Sequence, residues 1–301
     1  MAGFKPALEP FYQQLATMIE IRSLGNVPFE DIFEAFSTAF EDYEVQLNAE
    51  QLSVMLHRRG FNKDLSFGAF HHNRLVSFTL NGIGEFNGIR TAYDTGSGTL
   101  KEFRGQGLAT AIFKHCQPVL KASGISQYLL EVLQHNSQAA SVYRKQGFEV
   151  SREFNYFICE MEKVMTGNAS LPGNLILGPA DLSMRSGMQA CWDYSPSWQN
   201  SFEAVERKPE DFIFQGVFCD DRLVAYSIFE PVSGDITQLA VRHDFRRMGI
   251  GSVLLRKMLK LNKNRIMKLV NAEINCNSLT SFLQSHGINL SGKQFEMIKH
   301  L

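Results

Sequence analysis

The chain of 301 residues contains an internal repeat, which constrains the fold more strongly than any single motif. The segment Gly68–Phe78, GAFHHNRLVSF, matches Gly216–Tyr226, GVFCDDRLVAY, at its Gly, Phe, Arg, Leu and Val positions. In both copies two alternating apolar runs flank a polar turn, and this pattern predicts a β-hairpin. The chain is therefore expected to contain the same supersecondary unit twice.

Each hairpin is followed by a strand, a glycine-rich turn and an amphipathic run. In the first copy the turn is Arg104–Ala109, and residues 110–121 have apolar side chains at helical spacing. In the second copy the strand Leu239–Val241 precedes the turn Arg246–Gly251, and the helical spacing covers residues 252–261. The repeat thus extends beyond the hairpin to a strand, turn and helix.

The repeat predicts two domains, joined where turn-forming residues replace apolar periodicity. That composition is found at residues 166–174, TGNASLPGN. We predict domains over residues 18–165 and 166–301, with residues 1–17 as an N-terminal extension. The length fits two domains of about 100–200 residues. Each domain is predicted to have an α/β (α+β) fold, with a mixed, mostly antiparallel sheet flanked by helices.

The composition excludes several classes of partner. A net charge of -1 provides no long-range field for nucleic acid or an anionic membrane. No stretch approaches the roughly 18 apolar residues that a membrane-spanning helix needs. Five cysteines without CxxC pairs argue against a disulfide framework. We expect a cytoplasmic monomer or homodimer that binds neither nucleic acid nor membrane.

The glycine-rich turns predict anion binding at the start of a helix. Glycine lets the backbone approach a ligand, and the unpaired amides of a helix N-terminus suit a pyrophosphate. A single turn of this kind is equally consistent with a plain tight connection, but two copies in the same context favour binding. Neither copy has the Gly-Lys-Ser/Thr ending of a P-loop or the three-glycine dinucleotide fingerprint. A nucleoside triphosphatase or a dehydrogenase is therefore disfavoured.

Two further patterns relate the chain to a known family. Arg-x-x-Gly-x-Gly/Ala after a strand resembles the acetyl-CoA signature of the GNAT family of N-acetyltransferases, and it occurs twice. Residues 128–148, YLLEVLQHNSQAASVYRKQGF, resemble the closing motif of that family. The tandem arrangement is similar to that of double-domain members. The resemblance implies two GNAT folds, acetyl-CoA as cosubstrate and direct transfer to an amine.

The resemblance also implies cofactor contacts in both copies. In the first copy they are Ser97, Thr99, Leu100, Arg104, Gly105, Gln106, Gly107, Leu108, Ala109, Thr110 and Asn136. In the second copy they are Leu239, Val241, Arg246, Arg247, Gly249, Gly251 and Ser252.

Catalysis needs a base for the amine and a proton for the leaving thiolate, and the first copy offers candidates for both. Tyr143 is the candidate acid; alternatively, its ring packs the helix on the sheet. Glu131 interrupts an apolar strand and is the candidate base, or equally the partner in a salt bridge at the strand end. Asn136 binds CoA or caps the following helix. Glu85 and Asp94 compete with Glu131 as bases.

The second copy lacks this pattern. Counting back from Gly287, Leu283 occupies the position of Tyr143 and Asn271 that of Glu131. Glu273 could serve only if the strand register differs. The second domain is therefore expected to be degenerate or accessory, and its segment 192–198, WDYSPSW, lines a substrate groove or packs as a surface loop.

The remaining titratable residues imply no further chemistry. His71 and His72 fall in a hairpin turn, and no cluster has metal-ligand spacing, so no metal is predicted. The resulting hypothesis is an N-acetyltransferase acting on a primary amine of a small molecule or peptide, with the first domain catalytic. The alternative is a CoA-binding sensor or scaffold that performs no transfer.

Overall fold

The computed structural model describes residues 19–42 and 46–301, so the predicted extension over residues 1–17 lies outside the described part. By its contacts the chain divides into two compact units. One takes the chain up to Leu130 together with Lys299–Leu301, and the other is Glu131–Ile298. The predicted linker at residues 166–174 therefore lies inside the second unit.

The first unit is a mixed sheet with three described helices. Its strands, in sheet order, are β1 (Ile19–Ser23), β2 (Phe67–His71), β3 (Arg74–Phe86), β4 (Ile89–Thr99) and the start of β5 (Gln127–Leu133). Neighbours pair antiparallel except β4 and β5, which are parallel. The helices are α1 (Phe29–Ala39), α2 (Ala49–Arg58) and α3 (Leu108–Ala122).

The second unit contains a larger mixed sheet. In chain order its elements are α4 (Ser137–Lys145), β6 (Glu149–Glu160), β7 (Leu175–Pro179), α5 (Arg185–Gln189), α6 (Phe202–Glu206), β8 (Ile213–Cys219), β9 (Arg222–Glu230), β10 (Asp235–Val241), α7 (Ile250–Leu261), β11 (Ile266–Glu273), α8 (Asn277–Ser285) and β12 (Leu290–His300). The sheet order is β12-β6-β11-β10-β9-β8-β7, with only β10 and β11 parallel.

The packing unit and the sequence repeat divide the chain at different residues, and strand β6 explains why. It ends the first repeat in sequence, yet it pairs antiparallel with both β11 and β12 of the second. The main-chain hydrogen bonds of β6 therefore assign it, together with the preceding α4, to the second unit.

Both hairpins predicted from the repeat are confirmed. Strands β2 and β3 are joined at His72 and Asn73, and strands β8 and β9 at Asp220 and Asp221, all with positive φ as a two-residue hairpin turn requires. Each hairpin also contains one shift in the register of strand pairing. It lies between Ala69 and Phe70 in the first copy and between the matching residues, Val217 and Phe218, in the second.

The repeated glycine of each hairpin has a packing role. A Cβ on Gly68 would lie 2.3 Å from Cδ1 of Leu75, and one on Gly216 would lie 2.7 Å from Cδ1 of Leu223. Gly and Leu are both identical between the repeats because the leucine side chain occupies the space that a Cβ would need.

The parallel strand pairs are short, which opens each sheet at one end. Strand β10 pairs with β11 only at Asp235 and Lys268, although β10 continues to Val241. In the first unit β4 pairs with β5 only from Thr91 to Tyr93 and continues to Thr99. The backbone edges of β4 and β10 beyond these points are therefore available to a ligand.

The core beneath the open end of the second sheet is apolar. Helix α7 buries Ile250, Leu254, Leu255 and Met258 at helical spacing, as the sequence predicted. Among the described residues, no helix is long and apolar enough to cross a membrane.

Candidate functional site

The two glycine turns share one backbone construction. A single 3-10 turn follows the strand, Lys101–Phe103 in the first unit and His243–Phe245 in the second. Gly107 at φ 77° and Gly249 at φ 81° then precede the helices in the left-handed conformation, which glycine adopts without steric cost. The predicted strand, turn and helix are confirmed in both repeats.

The signature arginines brace these turns. Nε of Arg104 donates to the Thr99 carbonyl at 3.1 Å, and Nε of Arg246 donates to the Val241 carbonyl at 2.9 Å. Arg246 also donates to Oδ1 of Asp193 at 2.7 Å. Each guanidinium thus ties the turn to the end of the preceding strand, and a cofactor contact stays a prediction for both arginines.

Two of the differences between the turns affect the backbone or the helix packing. The counterpart of Gly105, at φ 77°, is Arg247 at φ 64°, a conformation that costs an L-residue about 1–2 kcal/mol. The counterpart of Ala109 is Gly251, where a Cβ would lie 2.9 Å from Cε2 of Phe282. Gly251 therefore allows α7 to approach α8 closely.

The second unit contains a cavity of about 490 Å³ at its glycine turn. Every cofactor residue predicted for the second repeat lines it: Leu239, Val241, Arg246, Arg247, Gly249, Gly251 and Ser252. Further walls come from β9, β11, α8 and residues 192–200. The structure thus brings the predicted second-repeat residues together around one concave space.

The start of helix α7 faces this cavity. The first intrahelical hydrogen bond is donated by Val253 to the Gly249 carbonyl at 3.1 Å. The amides of residues 250–252 therefore have no acceptor within the helix, and all three residues line the cavity. These amides, with the positive end of the helix dipole, form an environment suited to phosphate.

His286 lies at the same wall, although the sequence analysis did not single it out. Its side chain is buried, with Nε2 2.9 Å from Oγ of Ser252 and Nδ1 2.8 Å from the carbonyl oxygen of Phe282. Because a carbonyl only accepts, Nδ1 carries the proton of its hydrogen bond to Phe282. No local pattern marks the contact with Ser252, since the two residues lie on different elements.

Another wall is a network of neutral polar side chains. The indole of Trp192 donates to the hydroxyl of Tyr226, which donates to Oε1 of Gln238 at 2.6 Å. Nε2 of Gln238 in turn donates to the Asn200 carbonyl at 2.6 Å. The wall is therefore uncharged and fixed by its own hydrogen bonds.

The segment 192–198 both lines the cavity and enters the core. Trp192, Asp193 and Tyr194 line the cavity, whereas Trp198 is buried. Burial alone would raise the pKa of Asp193, but hydrogen bonds from Arg246 and from Ser278 at 2.8 Å outweigh it and lower the pKa. Asp193 is therefore an ionised partner of Arg246 rather than a base.

The second-repeat counterparts of the catalytic candidates supply no titratable group. Leu283 is fully buried in the core. Asn271 is buried at φ 61°, and its side chain donates to Oγ of Ser197 at 2.9 Å and accepts from Gln294 at 2.8 Å.

In the first repeat, Tyr143 lies on the predicted helix, α4, and Asn136 directly precedes that helix. Oδ1 of Asn136 accepts from the Ala139 amide at 3.1 Å, so this residue caps the helix. Tyr143 is half-buried, and its ring packs edge-on against Phe148 with centroids 5.6 Å apart. Packing accounts for the ring, and the acid role of the hydroxyl stays a prediction.

Glu131 is half-buried and accepts a hydrogen bond from Nε2 of Gln199 at 2.8 Å. Its charge also acts on Arg152. Burial would lower the pKa of that guanidinium, but the hydrogen bond with Glu296 and the charges of Glu296, Glu273 and Glu131 together outweigh burial and raise the pKa. Glu131 thus belongs to a polar network, and its role as a base stays a prediction.

The remaining first-repeat candidates lie in the first unit. Oγ of Ser97 donates to Asp94 at 2.8 Å, and the hydroxyls of Thr99 and Ser77 lie 2.7 Å apart. The Leu100 amide is hydrogen-bonded within the sheet. Ser97 and Thr99 therefore end strand β4, and Leu100 follows it, before the turn that contains Gly105, Gln106, Gly107, Leu108, Ala109 and Thr110.

The other titratable candidates have structural explanations. Glu85 is exposed opposite Arg90 near the end of the β3–β4 hairpin. Over residues 19–42 and 46–301, no group of three His, Cys, Asp or Glu side chains could hold a metal ion. All five cysteines are free.

A strand, a glycine turn and a helix N-terminus around a cavity define a class of anion-binding α/β proteins. Residues 29–148 and 182–284 match the family model described as acetyltransferase (GNAT) family, one match in each repeat. The chain therefore belongs to the GNAT acetyltransferase family, as a tandem of two GNAT folds. A search of curated proteins finds no match.

Solved structures share this fold over most of the chain. A family member from Sphaerobacter thermophilus is 13% identical at a TM-score of 0.70, covering 94% of this chain and 96% of its own. A tandem GNAT protein from the clavulanic acid biosynthesis pathway is 12% identical at a TM-score of 0.70, covering 94% and 98%. A putative acetyltransferase from Pyrococcus horikoshii is 14% identical at a TM-score of 0.64, covering 94% and 90%.

Proposed function

We propose that the protein is an acetyl-CoA-dependent N-acetyltransferase that transfers acetyl directly to a primary amine of a small molecule or peptide. The observation that carries this proposal is the cavity of about 490 Å³ at the glycine turn of the second repeat. Membership of the GNAT family supports the general reaction, acyl transfer. The proposed acceptor class, a primary amine, is the one that the family resemblance implies.

The residues of this cavity fit an acyl-CoA. The amides of residues 250–252 suit its pyrophosphate, and Arg247 adds positive charge beside them. The edge of β10 from Gln238 to Val241 has no partner strand, so its backbone groups can pair with the amide groups in the extended arm of an acyl-CoA. We therefore propose that acetyl-CoA binds in the second repeat.

The first repeat keeps the predicted acid and base of the sequence analysis, Tyr143 and Glu131. Its glycine turn has the same backbone construction, with Gly107 in the left-handed conformation. Transfer in the first repeat and binding in the second are separable hypotheses. The sensor or scaffold alternative requires binding without transfer.

Calorimetric titration of acetyl-CoA into matched helix variants tests the proposal. Ser252→Glu and Thr110→Glu place a carboxylate at the equivalent position of the first turn of α7 and of α3. Acidic residues are favourable near a helix N-terminus, so both variants are expected to fold, whereas the added charge repels a phosphate.

We expect Ser252→Glu to weaken binding by at least about tenfold, the worth of a charge-assisted hydrogen bond, and Thr110→Glu to leave it unchanged. Loss in Thr110→Glu alone would assign the cofactor to the first repeat. If the wild-type protein does not bind acetyl-CoA, the proposed function is wrong. Release of CoA thiol in a panel of amines then distinguishes the enzyme from the sensor.

A further inference from the structure

If acetyl-CoA binds in the second repeat, a transfer there needs a proton donor for the leaving thiolate, and Leu283 cannot supply it. The side chains around the cavity that have a proton to transfer to a thiolate are Tyr194, Tyr226, Cys276 and His286. Their hydrogen bonds differ, and these differences narrow the choice to one residue.

Tyr226 and Cys276 are engaged within the protein. The Tyr226 hydroxyl donates to Gln238 at 2.6 Å and accepts from the indole of Trp192. The Cys276 thiol lies 3.5 Å from Oδ2 of Asp193 and 3.5 Å from the hydroxyl of Ser278. A proton from either group would have to leave an existing hydrogen bond.

His286 is also engaged, and it lies at the phosphate end. Its Nδ1 contacts the Phe282 carbonyl and its Nε2 contacts Ser252, the third residue of helix α7. This histidine therefore faces the helix start rather than the open edge of β10.

Tyr194 differs from these three residues in its hydrogen bonding. It lines the cavity, and its ring packs against the apolar cluster that includes Met267, Cys276 and Leu279. Over the described part of the chain, no residue hydrogen-bonds to its hydroxyl. Burial raises the pKa of this phenol, so the hydroxyl keeps its proton at neutral pH and can donate it only to a basic group such as a developing thiolate.

The backbone beside Tyr194 is held in place. Nη1 of Arg152 donates to the carbonyl of Ser195 at 2.7 Å, and Arg152 is itself held by Glu296 through two hydrogen bonds. Two residues further on, the Ser197 hydroxyl accepts from Asn271. The loop therefore presents Tyr194 on a fixed backbone, which catalysis requires.

We propose that Tyr194 is the general acid of a transfer reaction in the second repeat, contributed by the loop before α6 instead of by α8. As the amine nitrogen bonds to the thioester carbon, the carbon–sulfur bond breaks and its electron pair goes to sulfur. The phenol of Tyr194 gives its proton to that sulfur, releasing a thiol. The nitrogen loses a proton to water, and solvent returns one to the phenolate, so protons balance.

This proposal rests on acetyl-CoA binding in the second repeat, and a binding experiment tests it without a known acceptor. The experiment compares the affinities of CoA and desulfo-CoA, which lacks the sulfur, near pH 9, where the thiol is partly ionised. In the wild-type protein a phenol beside the sulfur favours CoA by about tenfold, as expected for a hydrogen bond to a charged group.

Tyr194→Phe is expected to abolish this preference while leaving the affinity for desulfo-CoA within about twofold, because it removes only the hydroxyl. Tyr143→Phe is the competing variant and is expected to keep the preference. Retention of the preference in Tyr194→Phe, or its loss in Tyr143→Phe alone, would overturn the proposal. The proposed function fails on a different result: acetyl-CoA does not bind to the wild-type protein, or its binding is weakened by Thr110→Glu.

Discussion

The ion pair between Arg152 and Glu296 connects the stability of the second unit to the loop that presents Tyr194. The two residues lie opposite each other on β6 and β12. Nε and Nη2 of Arg152 donate to the two carboxylate oxygens at 2.9 and 2.6 Å. The side chains are 17% and 2% exposed, so water screens the pair only weakly.

Replacing Glu296 by Gln removes the charge but keeps the shape and one acceptor. Breaking a buried pair by removing one partner costs about 3–5 kcal/mol. The retained acceptor recovers about 1 kcal/mol, the worth of one hydrogen bond. We therefore expect Glu296→Gln to lower the free energy of unfolding by about 2–4 kcal/mol and the Tm by roughly 5–12 °C.

Urea denaturation followed by circular dichroism, with a thermal scan, measures this change. Glu102→Gln is the matched control, since it breaks the exposed pair between Arg74 and Glu102 and is expected to change stability within error. If Glu296→Gln lowers the free energy of unfolding by less than about 1 kcal/mol, with an unchanged denaturant slope, the claim that burial strengthens this ion pair is refuted.

Two further predictions concern packing and thiol chemistry. Gly216→Ala is expected to lower the free energy of unfolding by about 1–3 kcal/mol, because its Cβ would lie 2.7 Å from Leu223. Gly178→Ala is the tolerated control, since the nearest atom to its Cβ would be 3.6 Å away. Equal denaturation midpoints for the two variants would contradict this prediction. Burial, with the charge of Asp94, raises the pKa of Cys116 from 9.0 to about 12, so this thiol stays protonated in the folded state as pH rises through 9 and the unfolded thiol ionises. Stability from this group is therefore present below pH 9 and lost towards pH 12. At pH 9 a thiol reagent is expected to label the partly exposed Cys219 and spare Cys116, and mass spectrometry showing equal labelling would disprove it.

The sequence predicted the parts of the fold that depend on local backbone chemistry. The hairpin turns at His72 and Asp220, the glycine turns and the cap at Asn136 follow from residue type and spacing, and the structure contains all of them. The division into packing units could not be predicted, because the pairing of β6 with β11 and β12 depends on contacts distant in sequence. The same limit applies to His286, whose partner Ser252 is brought to it only by the fold.

The two repeats share the backbone construction of the glycine turn and differ in the side chains around it. The first keeps the side-chain pattern, with Tyr143 and Glu131, whereas the second forms the cavity at its glycine turn although Leu283 and Asn271 occupy the corresponding positions. A cofactor site made of amides, a helix N-terminus and a free strand edge tolerates side-chain replacement, because backbone groups do the binding. A catalytic proton, by contrast, needs one titratable side chain within reach, and any element bordering the cavity can present it. Loss of a motif residue from α8 therefore does not by itself make the second repeat inactive, and the comparison of Tyr194→Phe with Tyr143→Phe decides which repeat supplies the proton.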